Sequence, residues 1–313
     1  MVQRNHSAVF KAERLITAAI TCVTAVFIAC MFYLSSWNKQ ETGQEIGLPE
    51  NVYPVHKIIR YSFMLRNKSN SVLKDAVFKT HAPVLQTGLQ KTVKLDATSK
   101  YDLEKDSLGN QVMKFEIKNM APYASKTITI TAEVALAEMP NKIDDKNLKD
   151  YLKEEKYIET SNPEIKGLSE RLGQIKNKPL PKTVFDWVSR NISDAGYLYK
   201  DYGALYALQK KKGDCTEYMY LSLALLRNNH IPARGIGGFV VENNGLLTGD
   251  SYHNWAEYYT DNEWHLLDAQ KKVLDKDYAN YIAFRIFGDS EKNALSQSQR
   301  FLAFDDRLEV RMN

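Results

Sequence analysis

Cys215, His253 and Asp268 are of the types that divide one acyl-transfer reaction among them: a thiol to attack, an imidazole to move the proton, and a carboxylate to orient the imidazole. Cys215 stands near the start of KKGDCTEYMYLSLALLRNNHIPAR, Lys211 to Arg234. Cys215, Met219, Leu223 and Leu226 recur at helical spacing behind a Gly213-Asp214 turn, so the thiol opens a helix with Asp214 as its cap. A helix N-terminus favours thiolate and predicts a lowered thiol pKa. The same apolar stripe also suits a small buried hydrophobe, and the helix alone does not decide between the two.

The strands downstream bear on that choice. His253, Trp255, Glu257 and Tyr259 share one face of a strand, and Trp264, Leu266 and Asp268 share one face of the next. With Asp261-Asn262 as a two-residue turn, Thr260 pairs with Glu263, Tyr259 with Trp264, Trp255 with Asp268 and His253 with Gln270. His253 and Asp268 are then diagonal neighbours on one face, about 7–8 Å apart at Cα and within side-chain reach. A connection of odd length would put them on opposite faces. Metal binding by Cys215, His253 and His265 is the rival chemistry, but His265 falls on the other strand face and the chain has no CxxC or HxxxH spacing. A non-catalytic scaffold is the rival outside chemistry.

The elements that must position these residues form a second domain of mixed type. Pro163 opens a helix with Ile165, Leu168 and Leu172, and another starts near Pro181 with Val184, Phe185, Trp187 and Val188. GIGGFVV, HNWAEYY and WHLLDAQ follow as strands, and the segment from Tyr278 to Met312 reads as closing strands around a polar loop. Helices first and strands afterwards is an α+β order. Before it, Ile59 to Leu65, Met113 to Ile117 and Ile128 to Val134 alternate apolar and polar residues, as in a small antiparallel β-sandwich. The charged stretch between them reads as a linker or an exposed helix. The expected division is therefore 1–14 tail, 15–37 membrane anchor, 50–138 sandwich, 139–156 linker and 157–313 catalytic domain.

Leu15 to Leu34 holds no charged side chain, and about 20 helical residues match a hydrocarbon core of about 30 Å. Arg4, Lys11 and Arg14 precede it, which keeps the short tail cytoplasmic, with Trp37 at the far interface. A cleaved signal peptide is the alternative, but the stretch is long for one and FYLSSWN lacks a small-x-small cleavage site. A single-pass plasma-membrane protein follows, with its catalytic domain extracytoplasmic, periplasmic in a bacterium.

The 313 residues carry 42 Lys and Arg against 38 Asp and Glu, and beyond residue 40 the counts are 38 and 37. So even a balance argues against nucleic acid as a partner and leaves Lys210 to Lys212 as a solvated face. Of three cysteines, Cys22 and Cys30 lie in the apolar segment. Cys215 therefore has no intramolecular disulfide partner outside it.

G-D-C-x-E-x-x-x-L-x-x-A-L-L-R, continuing to I-P-A-R-G-I-G-G, followed by H-N-W-A-E-Y-Y and W-H-L-L-D, resembles the catalytic core of the transglutaminase-like superfamily. The preceding F-D-W-V-S-R-N-I extends the likeness over roughly 162–270. The resemblance implies a papain-like fold, with Cys215, His253 and Asp268 as the catalytic residues. It implies acyl chemistry on protein or peptide substrates through a Cys215 thioester. Hydrolysis, of cysteine peptidase or amidase type, is the expected outcome, with amine transfer as the alternative. No cofactor and no metal are expected. The Cys215 N–H is the natural oxyanion donor, Tyr197 in AGYLYKDYG is a second donor or a packing residue, and Trp255 either walls an acyl tunnel or fills the core. Asn67 and Asn191 head N-x-S sites, relevant only in a glycosylating host.

Overall fold

Ile59, Tyr61, Phe63 and Leu65 turn inward from β1 (Val55–Asn67), as the alternation of the sequence requires. The computed structural model describes residues 52–288, 295 and 300–313. Strands β2 (Leu73–Ala82), β3 (Gln90–Ala97), β4 (Asp102–Lys105), β5 (Gln111–Met120) and β6 (Ser125–Leu136) continue the first half. Helices α1 (Pro163–Gly173), α2 (Leu180–Asn191), α3 (Ala204–Lys210) and α4 (Cys215–Asn228) follow, with short strands β7 (Ser193–Asp194) and β8 (Lys212–Gly213) flanking α3. The chain then runs through β9 (Ala233–Val240), β10 (Gly245–Leu246), β11 (Tyr252–Thr260), β12 (Glu263–Asp268), β13 (Val273–Leu274), β14 (Tyr281–Ile286), β15 (Phe301–Ala303) and β16 (Leu308–Met312).

Two sheets make the sandwich. One has the order β10-β1-β6-β3, with β16 also on β1, and the other β15-β2-β5-β4. Their inner faces enclose Ile59, Phe63, Phe78, Phe115, Ile128 and Ile130. The third sheet, β13-β12-β11-β9-β14, is packed on one face by α4, through Met219, Leu223 and Leu226 against Ala233 and Ala256.

The expected boundary at 157 does not separate the halves. β10 and β16, from the later part of the chain, complete the free edge of β1, and β15 extends β2. All the described residues fall within one unit. Two buried side-chain amides fasten β14 to the sandwich: Gln90 bonds both the N–H (2.6 Å) and the carbonyl (2.9 Å) of Ala283. Asn110 does the same for Ile286, at 2.7 and 3.0 Å. Removing a buried amide leaves two backbone groups unsatisfied, at about 1–3 kcal/mol each. Asn110→Ala is accordingly expected to lower unfolding free energy by about 2–4 kcal/mol, read from denaturant melts. A loss below 1 kcal/mol would show the clasp to be dispensable.

Residues 139–156 keep most of their charged side chains exposed, yet they also give polar partners to aromatics of the third sheet. Asp145 accepts from Trp264 Nε1 (3.1 Å), the Ile143 carbonyl accepts from Tyr259 Oη (2.6 Å), and Tyr151 stands edge-on to Trp264. Beneath them Arg234 lies 4.0 Å over the Trp264 ring and pairs with Glu257 at 2.8 Å, both buried. The Arg of IPARG and the Glu of HNWAE are thus framework residues.

The anchor expected at 15–37 lies outside the described residues; among those described, no helix is long and apolar enough to cross a membrane. Asn67 is fully buried, and its amide nitrogen donates to the carbonyls of Ser71, Met120 and Ala121. The fold therefore uses this Asn as a strand-end clasp and withdraws it from glycosylation. Asn191 is exposed.

Candidate active site

α4 begins at Cys215, as the spacing predicts, and its first turn is held by a reciprocal cap. Asp214 Oδ1 accepts from the Thr216 N–H (2.8 Å), and Glu217 Oε2 accepts from the Asp214 N–H (3.2 Å). Gly213 has to be glycine here, since a Cβ would sit 2.3 Å from that of Glu217. The same two carboxylates hold the 195–203 loop: Leu198 N–H donates to Asp214 Oδ2 (3.0 Å) and Tyr202 N–H to Glu217 Oε1 (2.9 Å).

Glu217 is fully buried beside Asp214, and burial, reinforced by that neighbouring charge, raises its pKa to about 7. A carboxyl raised on folding binds its proton more tightly in the native state. Its stabilising contribution is complete below about pH 4.5 and is lost as pH climbs through about 7. Glu217→Gln is expected to flatten the fall in Tm over that interval. An undiminished fall in the variant would show another group to be responsible.

β11 and β12 join through Asp261 and Asn262, both at positive φ (55° and 65°), the geometry of a two-residue primed turn. Thr260 pairs with Glu263, Tyr259 with Trp264 and Ala256 with Leu267. This register puts His253 and Asp268 on one face, and their side chains meet, with His253 Nε2 to Asp268 Oδ2 at 2.6 Å. A carboxylate can only accept, so Nε2 carries the proton and Nδ1 is the nitrogen left for a thiol.

Two further donors steady Asp268: Lys271 N–H to Oδ1 (3.0 Å) and Tyr281 Oη to Oδ2 (2.9 Å). The Tyr281 ring stands edge-on to Trp255, which in turn lies roughly parallel to the His253 ring at 6.3 Å. Trp255 is 2 % exposed and belongs to the core behind the histidine.

Cys215 reaches this group from the helix side. Asn254, the residue after His253, and Thr216 line one cavity with Cys215, and the Asp268 charge bears on the thiol. Asn254 Nδ2 in turn donates to Thr216 Oγ1 (3.0 Å), which fastens the start of α4 to β11. The lowered thiol pKa expected of a helix N-terminus is not what the site gives. Burial, reinforced by the Asp214 carboxylate that caps the helix, pushes Cys215 up to about 12. Desolvation and a like-signed neighbour outweigh the helix dipole, so a thiolate here needs a cation beside it.

A cavity of about 460 Å³ opens onto Cys215, lined also by Tyr197, Tyr199, Tyr252, Asn254, Arg285 and Arg300. His253 and Asp268 are not in its wall; they lie behind it, 6 % and 2 % exposed. Tyr197 is 81 % exposed at the mouth. His265 lies against the Tyr258 ring at 5.1 Å, with Asp275 3.8 Å from its Nδ1.

Sequence reasoning missed Tyr281, Asn254, Tyr252 and the two arginines. Asn254 could have been found as the neighbour of a candidate base. Tyr281 and Arg285 are supplied by a strand that no local spacing ties to the site.

Residues 166–269 match the family model of the Transglutaminase-like superfamily. No curated protein matches the chain. Among solved structures, a candidate cysteine protease from Cytophaga hutchinsonii superposes with a TM-score of 0.56 at 16% identity, over 83% of this chain and 92% of its own. The periplasmic domain of TgpA from Pseudomonas aeruginosa gives a TM-score of 0.41 at 14% identity, over 68% and 88%. The first shares this fold.

Proposed function

We propose that this chain, whose residues 166–269 match the transglutaminase-like core, is a cysteine hydrolase of peptide or carboxamide bonds. The observation that carries the reading is the 2.6 Å contact of His253 with Asp268, on a strand whose next residue, Asn254, lines the same cavity as Cys215. In this mechanism His253 Nδ1 takes the thiol proton, and the thiolate attacks the substrate carbonyl. His253 then returns the proton to the leaving amine as the C–N bond breaks, giving a Cys215 thioester. Water, deprotonated by the same imidazole, attacks the thioester and releases the acid and the free thiol. The Cys215 N–H at the start of α4 is the oxyanion donor, Asp268 holds the tautomer, and Tyr281 holds Asp268.

Water is the acceptor because the cavity opens to solvent at a mouth carrying the exposed Tyr197 and Tyr199. Transfer to an amine requires a site that excludes water. The proposed setting is the outer face of a plasma membrane, with residues 15–37 as anchor and protein or peptide as substrate.

The test incubates the full-length protein with a glutamine-containing protein and a labelled primary amine. New N-termini or released ammonia, absent with Cys215→Ala, is the expected result. Stable incorporation of the amine would replace hydrolysis by transfer, and no product of either kind would leave a scaffold.

A further inference from the structure

We propose that the cavity in front of Cys215 receives a carboxylate of the acyl donor on Arg285 and Arg300, a claim that rests on the thiol-hydrolase reading and adds a substrate class to it. Arg285 and Arg300 both line the cavity that Cys215 opens into. Arg285 follows the bulge between Ala283 and Arg285 on β14; it is 3 % exposed, with its guanidinium carbon 4.6 Å from the Phe287 ring centroid. Arg300 lies 4.8 Å over the Tyr252 ring and donates through Nη1 to the Gly249 carbonyl (2.6 Å). A guanidinium has five donors in a planar fork that matches a carboxylate, so this one bond leaves the fork able to bind.

Tyr252 lines the same cavity as both arginines and Cys215, and their charges bear on its phenol.

Three acids share the cavity, Asp201, Asp214 and Asp250, and each already has donors. Asp214 holds the Thr216 and Leu198 N–H groups. Asp201 accepts from Tyr220 Oη (3.2 Å), and burial raises its pKa. Asp250 stands at the exposed rim and accepts from Thr248 Oγ1. Lys200 is over the Tyr202 ring. A planar, weakly hydrated cation inside a partly desolvated cavity selects a carboxylate over its neutral isostere. The group can be an Asp or Glu side chain, or a terminal α-carboxylate, close to the scissile carbonyl.

The test compares alkylation of Cys215 by iodoacetate, which carries a carboxylate, with iodoacetamide, which is neutral. Rates are read by mass spectrometry at pH 9 on the full-length protein, and each is normalised to glutathione. A preference for iodoacetate of about tenfold is expected, the size of one charge-assisted hydrogen bond. Arg300→Gln should erase most of it and Arg300→Lys should restore part, with circular dichroism confirming the fold. Equal normalised rates overturn the proposal. So does a preference that survives Arg300→Gln, which would assign it to the His253 imidazolium, and so does a thiol that neither reagent modifies.

Peptide pairs distinguish the sources of the carboxylate: Glu against Gln with an amidated end, and free against amidated C-terminus with Gln inside. Faster cleavage of one acidic member identifies its source; equal cleavage within both pairs overturns the proposal. If no peptide is cleaved while the alkylation preference and its loss in Arg300→Gln persist, the hydrolase reading fails and the carboxylate site stands.

Discussion

Cys215 in the His253→Ala variant is expected to react with iodoacetamide at pH 7 at least ~100-fold more slowly than in the wild-type protein, within the range for loss of a positioned base. The reason is the thiol's own environment. With a pKa pushed up to about 12 by burial and the Asp214 charge, it would be ionised in only about one molecule in 10⁵ at neutral pH. An imidazolium at His253 supplies a compensating charge beside the thiol, and Asp268 at 2.6 Å stabilises that cation. The pH profile carries the sign. In His253→Ala the reactivity should keep climbing with pH toward the thiol's own value, whereas the wild-type profile should be flatter. Asp268→Asn, which keeps the shape and loses the tautomer control, should fall between the two. Unchanged rates and an unchanged profile in His253→Ala would remove the catalytic assignment and leave Cys215 a buried filler.

Gly238→Ala is expected to abolish folding to the native state or to lower Tm by about six degrees or more. A Cβ at this position would lie 2.1 Å from the Ile282 carbonyl oxygen and 2.9 Å from the Trp255 ring. The first obstacle is backbone, so the strand pair β9–β14 must separate or Gly238 must leave the sheet. Overpacking of this kind costs about 3 kcal/mol or more, and about 2–4 °C of Tm follows each kcal/mol in a unit of this size. Gly238 also pairs with His253, so any residual folded protein should show a displaced histidine. A thermal scan settles it; a shift of less than 3 °C would mean the sheet yields far more easily than its geometry implies. Gly237 makes a related case on the other face, where a Cβ would meet the Tyr252 hydroxyl at 2.0 Å.

The parts of the site legible in the sequence are those set by short-range periodicity. The helix opening at Cys215, its Asp214 cap and the parity that joins His253 to Asp268 each depend on a few neighbouring residues, and a two-residue turn admits only one register. What stayed hidden depends on distant chain segments. Tyr281 and Arg285 enter from β14, whose place beside β9 follows from no spacing between them. The thiol's raised pKa was illegible for another reason: the helix-end rule describes one contribution, and the burial that reverses its sign comes from packing. The 139–156 stretch reads as solvated because its charges dominate the composition, yet a few of its groups, Asp145 and Tyr151 among them, find buried partners on Trp264.

The same long-range order has a consequence for biosynthesis. β1 emerges from the ribosome with β6 able to pair on one side, but among the described residues its other edge is covered by Gly245–Leu246 and Leu308–Met312. Roughly 240 further residues, at about 5–20 per second, separate translation of β1 from completion of its sheet. For some tens of seconds the nascent chain exposes an unpaired strand edge of the kind that recruits other chains. Expression yield should therefore respond to holdase chaperones and to slower elongation before it responds to the stability of the finished fold.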